Sequence, residues 1–163
     1  MVVGLAGYRR WGKDAIARQL VRRGYKKRAM AEPMKKAAVK LFGWGHKHLE
    51  GDLKDAMDHR FSIVPRQWLL DEGKYLRAKN PRFFVTRWLQ QYDPTVNYVI
   101  PDVRLPNEAD MVRQLGGIIV WVERLGATIN GAQDETEQYN FECDFSVVND
   151  NTSPGLIKAA EEI

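Results

Sequence analysis

Only one cysteine, Cys143, stands among the 163 residues, so no intrachain disulfide can form, as suits a reducing compartment. We read it as a small side chain beside a strand. Long apolar runs are also missing: stretches such as Ile118 to Val122 fall far short of the ~20 residues that cross a bilayer, so no membrane association is expected. Met1-Val2-Val3-Gly4-Leu5-Ala6-Gly7 leads into a glycine-bounded basic loop without a charged leader or cleavage site, and a cytoplasmic protein is expected. No low-complexity tract, internal repeat or interdomain linker interrupts the chain. Apolar residues make up 44% and charged residues 28%, the composition of a folded domain. A chain of this length buries roughly two-thirds of its unfolded surface, enough to fold without a disulfide or structural metal.

The net charge is +4, and its distribution says more than its total. Arg9, Arg10, Arg18, Arg22, Arg23, Lys26, Lys27 and Arg28, followed by Lys35, Lys36 and Lys40, concentrate positive charge in the first quarter of the chain. Such a concentration suits an anionic ligand, either nucleotide phosphates or a nucleic-acid backbone. A solvated basic face accounts for most of these residues individually.

Strands and helices alternate in the pattern. Met1 to Ala6 reads as a short apolar strand, and Lys13 to Arg23 places Ile16, Ala17 and Leu20 at helical spacing before Gly24. Tyr25 to Met30 reads as a second strand, with lysines that suit an edge. Pro33 opens a helix reaching Gly43, and Trp44 to Ser62 reads as mostly loop with a short helix near Leu53 to Met57. Helices are expected over Pro65 to Ala78 and over Pro81 to Gln91, the latter capped by Asn80. Asn97 to Pro101 is a β-rich run, Pro106 to Leu115 a helix stopped by Gly116-Gly117, Ile118 to Glu123 a buried strand and Phe145 to Asn149 the last strand. Ser153-Pro154 caps a terminal helix. This alternation means a parallel sheet covered on both faces, with charged loops after three strands on the rim where such sheets bind ligands.

Gly7-Tyr8-Arg9-Arg10-Trp11-Gly12-Lys13-Asp14 fits the phosphate-loop template of two glycines five apart followed by lysine. Glycines let backbone N–H groups point inward, the lysine reaches the β- and γ-phosphates, and the helix that follows adds its positive dipole end. Asp14 stands where the template has serine or threonine for magnesium. An aspartate can bind Mg²⁺ directly or through water, and it is also a good residue for a helix start. Asp102 in Pro101-Asp102-Val103-Arg104-Leu105-Pro106-Asn107-Glu108 can hold water of a phosphate-bound magnesium, and Arg104 can meet a second anionic group. A structural ion pair between Asp102 and Arg104 is the alternative.

Several stretches together are similar to one family. Gly12-Lys13-Asp14, Ala31-Glu32-Pro33-Met34-Lys35-Lys36-Ala37, Asn80-Pro81-Arg82-Phe83-Phe84-Val85 and Tyr98-Val99-Ile100-Pro101-Asp102-Val103-Arg104 with Asn107-Glu108 lie in collinear order. So do Leu115-Gly116-Gly117, Val122-Glu123-Arg124, Thr136-Glu137 and Val148-Asn149-Asp150-Asn151. The chain resembles the deoxynucleoside monophosphate kinases of bacteriophages, a branch of the P-loop nucleoside monophosphate kinases, over nearly its whole length. Gly-Lys-Asp and Pro-Asp-x-Arg are the specific parts. Asp134 stands where the family often has histidine, and Leu70 and Gly73-Lys74-Tyr75 depart from its middle helices. These departures bear on the substrate base rather than on the phosphates.

The resemblance implies an α/β fold, a P-loop kinase-like five-stranded parallel sheet of order 2-3-1-4-5 with helices on both faces. It implies a single domain over 1–163, with a helical substrate-binding insertion at about 44–92 and a short lid at about 124–136. The activity implied is transfer of the ATP γ-phosphate to a deoxynucleoside monophosphate with Mg²⁺ as cofactor, in the host cytoplasm if the protein is phage-encoded. Catalysis falls to Lys13, Arg124, Asp102 and Arg104, and ATP binding to Gly7, Arg9, Arg10, Trp11, Gly12, Lys13, Asp14 and Ala15. Arg104, Lys35, Trp68, Tyr75, Arg77 and Glu108 are implied for the substrate, Asp14 and Asp102 for the metal. Arg82 and Arg87 are further candidates for the acceptor phosphate, and Phe84 and Trp88 for its base, although such aromatics are usually core. His46, His48 and His59 match no standard zinc spacing. A dephospho-coenzyme A kinase-like enzyme and a nucleic-acid-binding module are the rival readings. No stable nucleic-acid binding is expected, and a homodimer stays open.

Overall fold

The computed structural model describes residues 1–127, 139–150 and 152–163. Two compact units are present, one of Met1–Met30 with Tyr92–Ile163 and one of Ala31–Gln91.

The first unit is built on β1 (Val2–Ala6), whose five residues are all buried. A strand buried on both sides reads as continuous apolar sequence and lies at the centre of a parallel sheet. β3 (Tyr98–Ile100) pairs with it on one side and β4 (Ile118–Arg124) on the other, both parallel. β2 (Lys26–Lys27) extends the sheet beyond β3, and β5 (Phe145–Asn149) extends it beyond β4. The order is therefore β2-β3-β1-β4-β5. The strand expected over Tyr25 to Met30 pairs only through its two exposed lysines, and it is the edge strand.

Side chains alternate across a strand. Val3 and Leu5 of β1 join Ile16, Ala17 and Leu20 of α1 (Lys13–Arg22) and Ala159 and Ala160 of α7 (Ser153–Glu161) in one core. On the opposite face, Gly4 leaves room for Val112 of α6 (Pro106–Gln114) and for Ile119. Each fully buried valine or leucine in these layers contributes about 1.5–3 kcal/mol of transfer free energy. Thr152, rather than the expected Ser153-Pro154 pair, caps α7: its side chain accepts from Gly155 N at 3.0 Å. Cys143 is partly buried, and that burial pushes its thiol upward, away from a reactive thiolate.

The second unit holds α2 (Glu32–Phe42), α3 (His46–Leu49), a 3₁₀ turn at Asp52–Asp55, α4 (Pro65–Lys79) and α5 (Phe83–Leu89). It begins at Ala31, and within it α2 packs on α4, with Met34 against Gly73. The stretch from Trp44 to Ser62, expected to be mostly loop, is organised by one indole. Trp44 is 0% exposed, stacks on Phe42 at 4.3 Å and donates from Nε1 to Asp58 Oδ2 at 2.8 Å. Arg60 bonds both oxygens of Asp58, through Nε to Oδ1 at 3.0 Å and Nη2 to Oδ2 at 2.7 Å. That guanidinium, with the Trp44 bond, holds the Asp58 carboxyl well below the usual carboxylate range. The helix expected to open at Pro81 under an Asn80 cap instead begins at Phe83. Asn80 closes α4, and its Oδ1 accepts from Arg82 N at 2.9 Å in a turn between the helices.

Candidate active site

Where β1 ends, the chain turns through Gly7 at φ +134° and re-enters a helix after Gly12 at φ +99°. Both values lie where a side chain is strained, which is the physical reason for glycine at the two positions. A Cβ on Gly7 would overlap the Val122 carbonyl oxygen of β4, and one on Gly12 would overlap the Asn149 amide of β5. Within the loop, Trp11 N donates to Tyr8 O at 3.2 Å, and Gly12 O accepts from Ala15 N at 2.9 Å and Ile16 N at 3.0 Å, starting α1. Arg10 also carries a positive φ of 66° and, like Arg9, is exposed.

Neighbouring strand ends hold this loop from the side. Arg124, at the end of β4, donates from Nη1 to Arg10 O at 3.0 Å. Asn149, at the end of β5 and 5% exposed, donates from Nδ2 to Trp11 O at 3.0 Å. Its backbone accepts from Leu125 N at 2.9 Å, which locks the ends of β4 and β5 together.

Lys13 is buried, and its Nζ donates to the carbonyls of Gly7 and Tyr8, the latter at 2.8 Å. The ammonium therefore lies inside the curl of the loop, with two of its three donors on loop carbonyls. Asp14, in the first turn of α1, is exposed and pairs with Lys27 Nζ at 2.6 Å. Asp102, just after β3, accepts from Met30 N through Oδ1 at 2.8 Å, tying the β3 loop to the end of the β2 segment.

Glu108 is 2% exposed, and its Oε2 accepts from Arg104 N at 2.9 Å and Leu105 N at 3.2 Å. This capping box satisfies two backbone donors at the start of α6. The Glu108 carboxylate thus shapes the loop that carries Arg104.

Lys35, Trp68, Tyr75 and Arg77 belong to the second unit. Lys35 is ion-paired with Glu50. Trp68 packs its edge on Phe42 at 5.2 Å and on Trp44 at 5.9 Å, so its ring is part of the aromatic core there. Arg77 lies over the Phe84 ring at 4.6 Å. Tyr75 is 58% exposed, with Lys79 over its ring at 5.6 Å. Phe84 and Trp88 are buried core residues, as aromatics on such helices usually are. His48 stacks on Trp44, and among the described residues no three His, Cys, Asp or Glu side chains gather as a metal site. Residues 128–136 of the expected lid, Asp134 and Thr136 among them, lie outside the described residues.

Three residues of this region were not singled out as site residues from sequence. Asn149 is a polar side chain at a strand's carboxyl end, a signal that could have marked it. Arg28, just after β2, is a buried guanidinium, and it is hidden in the sequence by the basic run around it. Tyr139 donates from its hydroxyl to Gly7 O at 2.6 Å and from its backbone N–H to Arg104 O at 3.2 Å. Nothing local in the sequence announces those contacts.

No protein-family model matches the chain. A protein of Acanthamoeba polyphaga mimivirus named "Putative deoxynucleotide monophosphate kinase" is 31% identical, in an alignment covering 83% of this chain and 78% of the relative. Solved structures share the fold at low identity. The protein TT1252 of Thermus thermophilus superposes with a TM-score of 0.51 at 15% identity, covering 99% of this chain and 94% of that one. The Mycobacterium tuberculosis APS kinase CysC, in complex with AMPPNP and APS, does so with a TM-score of 0.50 at 13% identity, covering 99% and 93%. A glycine loop after the central strand of a 2-3-1-4-5 sheet, with a buried lysine opening the helix that follows, together with this relative places the chain in the deoxynucleotide monophosphate kinase family: it is a P-loop nucleotide kinase.

Proposed function

We propose that the protein transfers the γ-phosphoryl group of ATP to the phosphate of a deoxynucleoside monophosphate. An acceptor phosphate oxygen forms a bond to the γ-phosphorus, the bond to the β–γ bridging oxygen breaks, and ADP leaves with the electron pair of that bond. The observation that carries this reading is the Gly7–Asp14 loop, closed around the Lys13 ammonium and braced by Arg124 and Asn149 at the ends of β4 and β5. Phosphoryl transfer asks a protein for positioning and charge neutralisation, with little covalent chemistry.

Lys13 and the loop amides hold the donor phosphates, together with the helix dipole of α1. Arg124, already against the loop, covers the charge that develops on the transferring group. Arg104 receives the acceptor phosphate, on a loop shaped by Glu108. Asp14 and Asp102 are the candidate ligands for Mg²⁺. Two carboxylates suit a hard cation that keeps waters and takes its other ligands from phosphates, although Asp14 must then share or release Lys27. Bound there, the cation would neutralise phosphate charge. The bond from Met30 N orients Asp102 for this role. Within the second unit, Tyr75 presents the most accessible ring among the residues implied for the acceptor base.

A coupled assay of ADP release over the eight common nucleoside monophosphates and dephospho-coenzyme A, with and without Mg²⁺, tests the proposal. Turnover with one or more deoxynucleoside monophosphates is expected. ADP release only with dephospho-coenzyme A would move the protein to the related small-molecule kinases. Salt-sensitive nucleic-acid binding without ATP consumption would remove the kinase reading altogether.

A further inference from the structure

We propose that Tyr139 is a positioning residue of the phosphate loop, one that keeps the Gly7 carbonyl bonded when Lys13 turns to a phosphate. The inference rests on the kinase reading above and adds to it a residue that touches neither nucleotide.

The Gly7 carbonyl lies in a buried residue and receives two donors, Lys13 Nζ and the Tyr139 hydroxyl, the latter at 2.6 Å. The Lys13 ammonium has three N–H donors, two of them on the carbonyls of Gly7 and Tyr8, so reaching both the β- and the γ-phosphate takes at least one donor away from a carbonyl. If it were the sole donor to Gly7, its departure would leave a buried acceptor unsatisfied, and an orphaned acceptor is penalised far more than an average hydrogen bond is favoured. The hydroxyl removes that penalty because it stays on the carbonyl in both positions of the lysine.

The placement of Tyr139 is specific. Its backbone N–H donates to Arg104 O at 3.2 Å, so one residue joins the donor loop to the loop carrying Arg104. Its φ is +38°, in the left-handed region that a bulky side chain rarely occupies. Its ring meets Tyr8 edge-on at 5.4 Å and Trp121 at 5.2 Å. Tyr8 in turn meets Trp11 at 4.7 Å, and Trp11 meets Trp121 at 5.9 Å. Two of these rings, Tyr8 and Trp11, are residues of the phosphate loop itself. The cluster therefore fixes the hydroxyl relative to the loop, and the strained backbone is what the two-ended contact costs.

Tyr139→Phe removes the hydroxyl and keeps the ring and the backbone bond. KM for ATP and the Kd for a non-hydrolysable ATP analogue, measured by calorimetry, should rise about five- to a hundredfold, the range expected for one orphaned buried acceptor. The fall in kcat should be smaller than the rise in KM. The same substitution in a Lys13→Met background should shift the analogue's Kd by less than about twofold, since no ammonium then has to leave the carbonyl. An unchanged KM and Kd in Tyr139→Phe would overturn the proposal. So would an equal penalty in both backgrounds, which would mark a purely structural hydroxyl. Parent protein that binds the ATP analogue but phosphorylates no monophosphate would overturn the functional reading while leaving the analogue arm of this test intact.

Discussion

Replacing Gly12 by alanine would force an L-residue to hold φ +99° and would drive its Cβ into the Asn149 side chain, with Asn149 Cγ at 3.1 Å behind the amide it overlaps. The backbone strain alone costs about 1–3 kcal/mol. Asn149 must also move, giving up its 3.0 Å bond to Trp11 O, for a further ~1–3 kcal/mol if the carbonyl is left unsatisfied. A loss of about 2–6 kcal/mol is therefore expected by urea denaturation of Gly12→Ala. Asn149→Ala alone should lose about 1–3 kcal/mol, the cost of leaving the Trp11 carbonyl unsatisfied. The two losses share one physical cause, so the double mutant should be less destabilised than their sum by about 1–3 kcal/mol. Additivity within ~0.5 kcal/mol would show that Asn149 does not occupy the space the glycine leaves, and the account of the loop's bracing would fail. Gly7→Ala makes the control: its Cβ meets the Val122 carbonyl of β4, which no side-chain change relieves.

Tyr75→Ala should change stability by less than ~0.5 kcal/mol, because the ring is mostly exposed, while acceptor KM rises if the ring stacks on a base. Trp68→Ala should cost about 3 kcal/mol through lost packing on Phe42 and Trp44, and an unchanged acceptor KM in Tyr75→Ala removes Tyr75 from the site. The Asp58 carboxyl is held below its unfolded value, so it stabilises the fold fully above about pH 5, and this contribution declines as pH falls through and below ~4. Urea midpoints of Asp58→Asn should accordingly fall less steeply than the parent's between pH 6 and pH 3; parallel curves would contradict this. Asp14→Asn should raise the Mg²⁺ concentration needed for half-maximal turnover, whereas Lys27→Met, which breaks the same exposed pair, should not; equal effects would reduce Asp14 to its ion pair.

The strand, loop and helix at Val2–Arg22 were legible because each signal is local: an apolar run, two glycines, a lysine and a helical spacing. The sheet followed from alternation, and its order from the resemblance. What sequence did not show is made of contacts between distant residues. Trp44 to Ser62 lacks periodicity since its order comes from a buried indole and the Asp58–Arg60 pair rather than from an amphipathic face. Asn80 has the chemistry of a helix start yet ends the preceding helix, its side chain serving a turn instead. Glu108 reads as a charged site residue but is consumed by backbone donors. Tyr139 reaches Gly7 across 132 positions, a distance no local pattern spans.

Lys13→Ala tests the central claim most directly. Its turnover with ATP, Mg²⁺ and the best deoxynucleoside monophosphate should fall at least about a hundredfold, the usual loss when one electrostatic contact to the transition state is removed, while the urea midpoint shows that the fold persists. Near-parental turnover in the folded mutant would contradict the assignment of Gly7–Asp14 as the phosphate-binding loop.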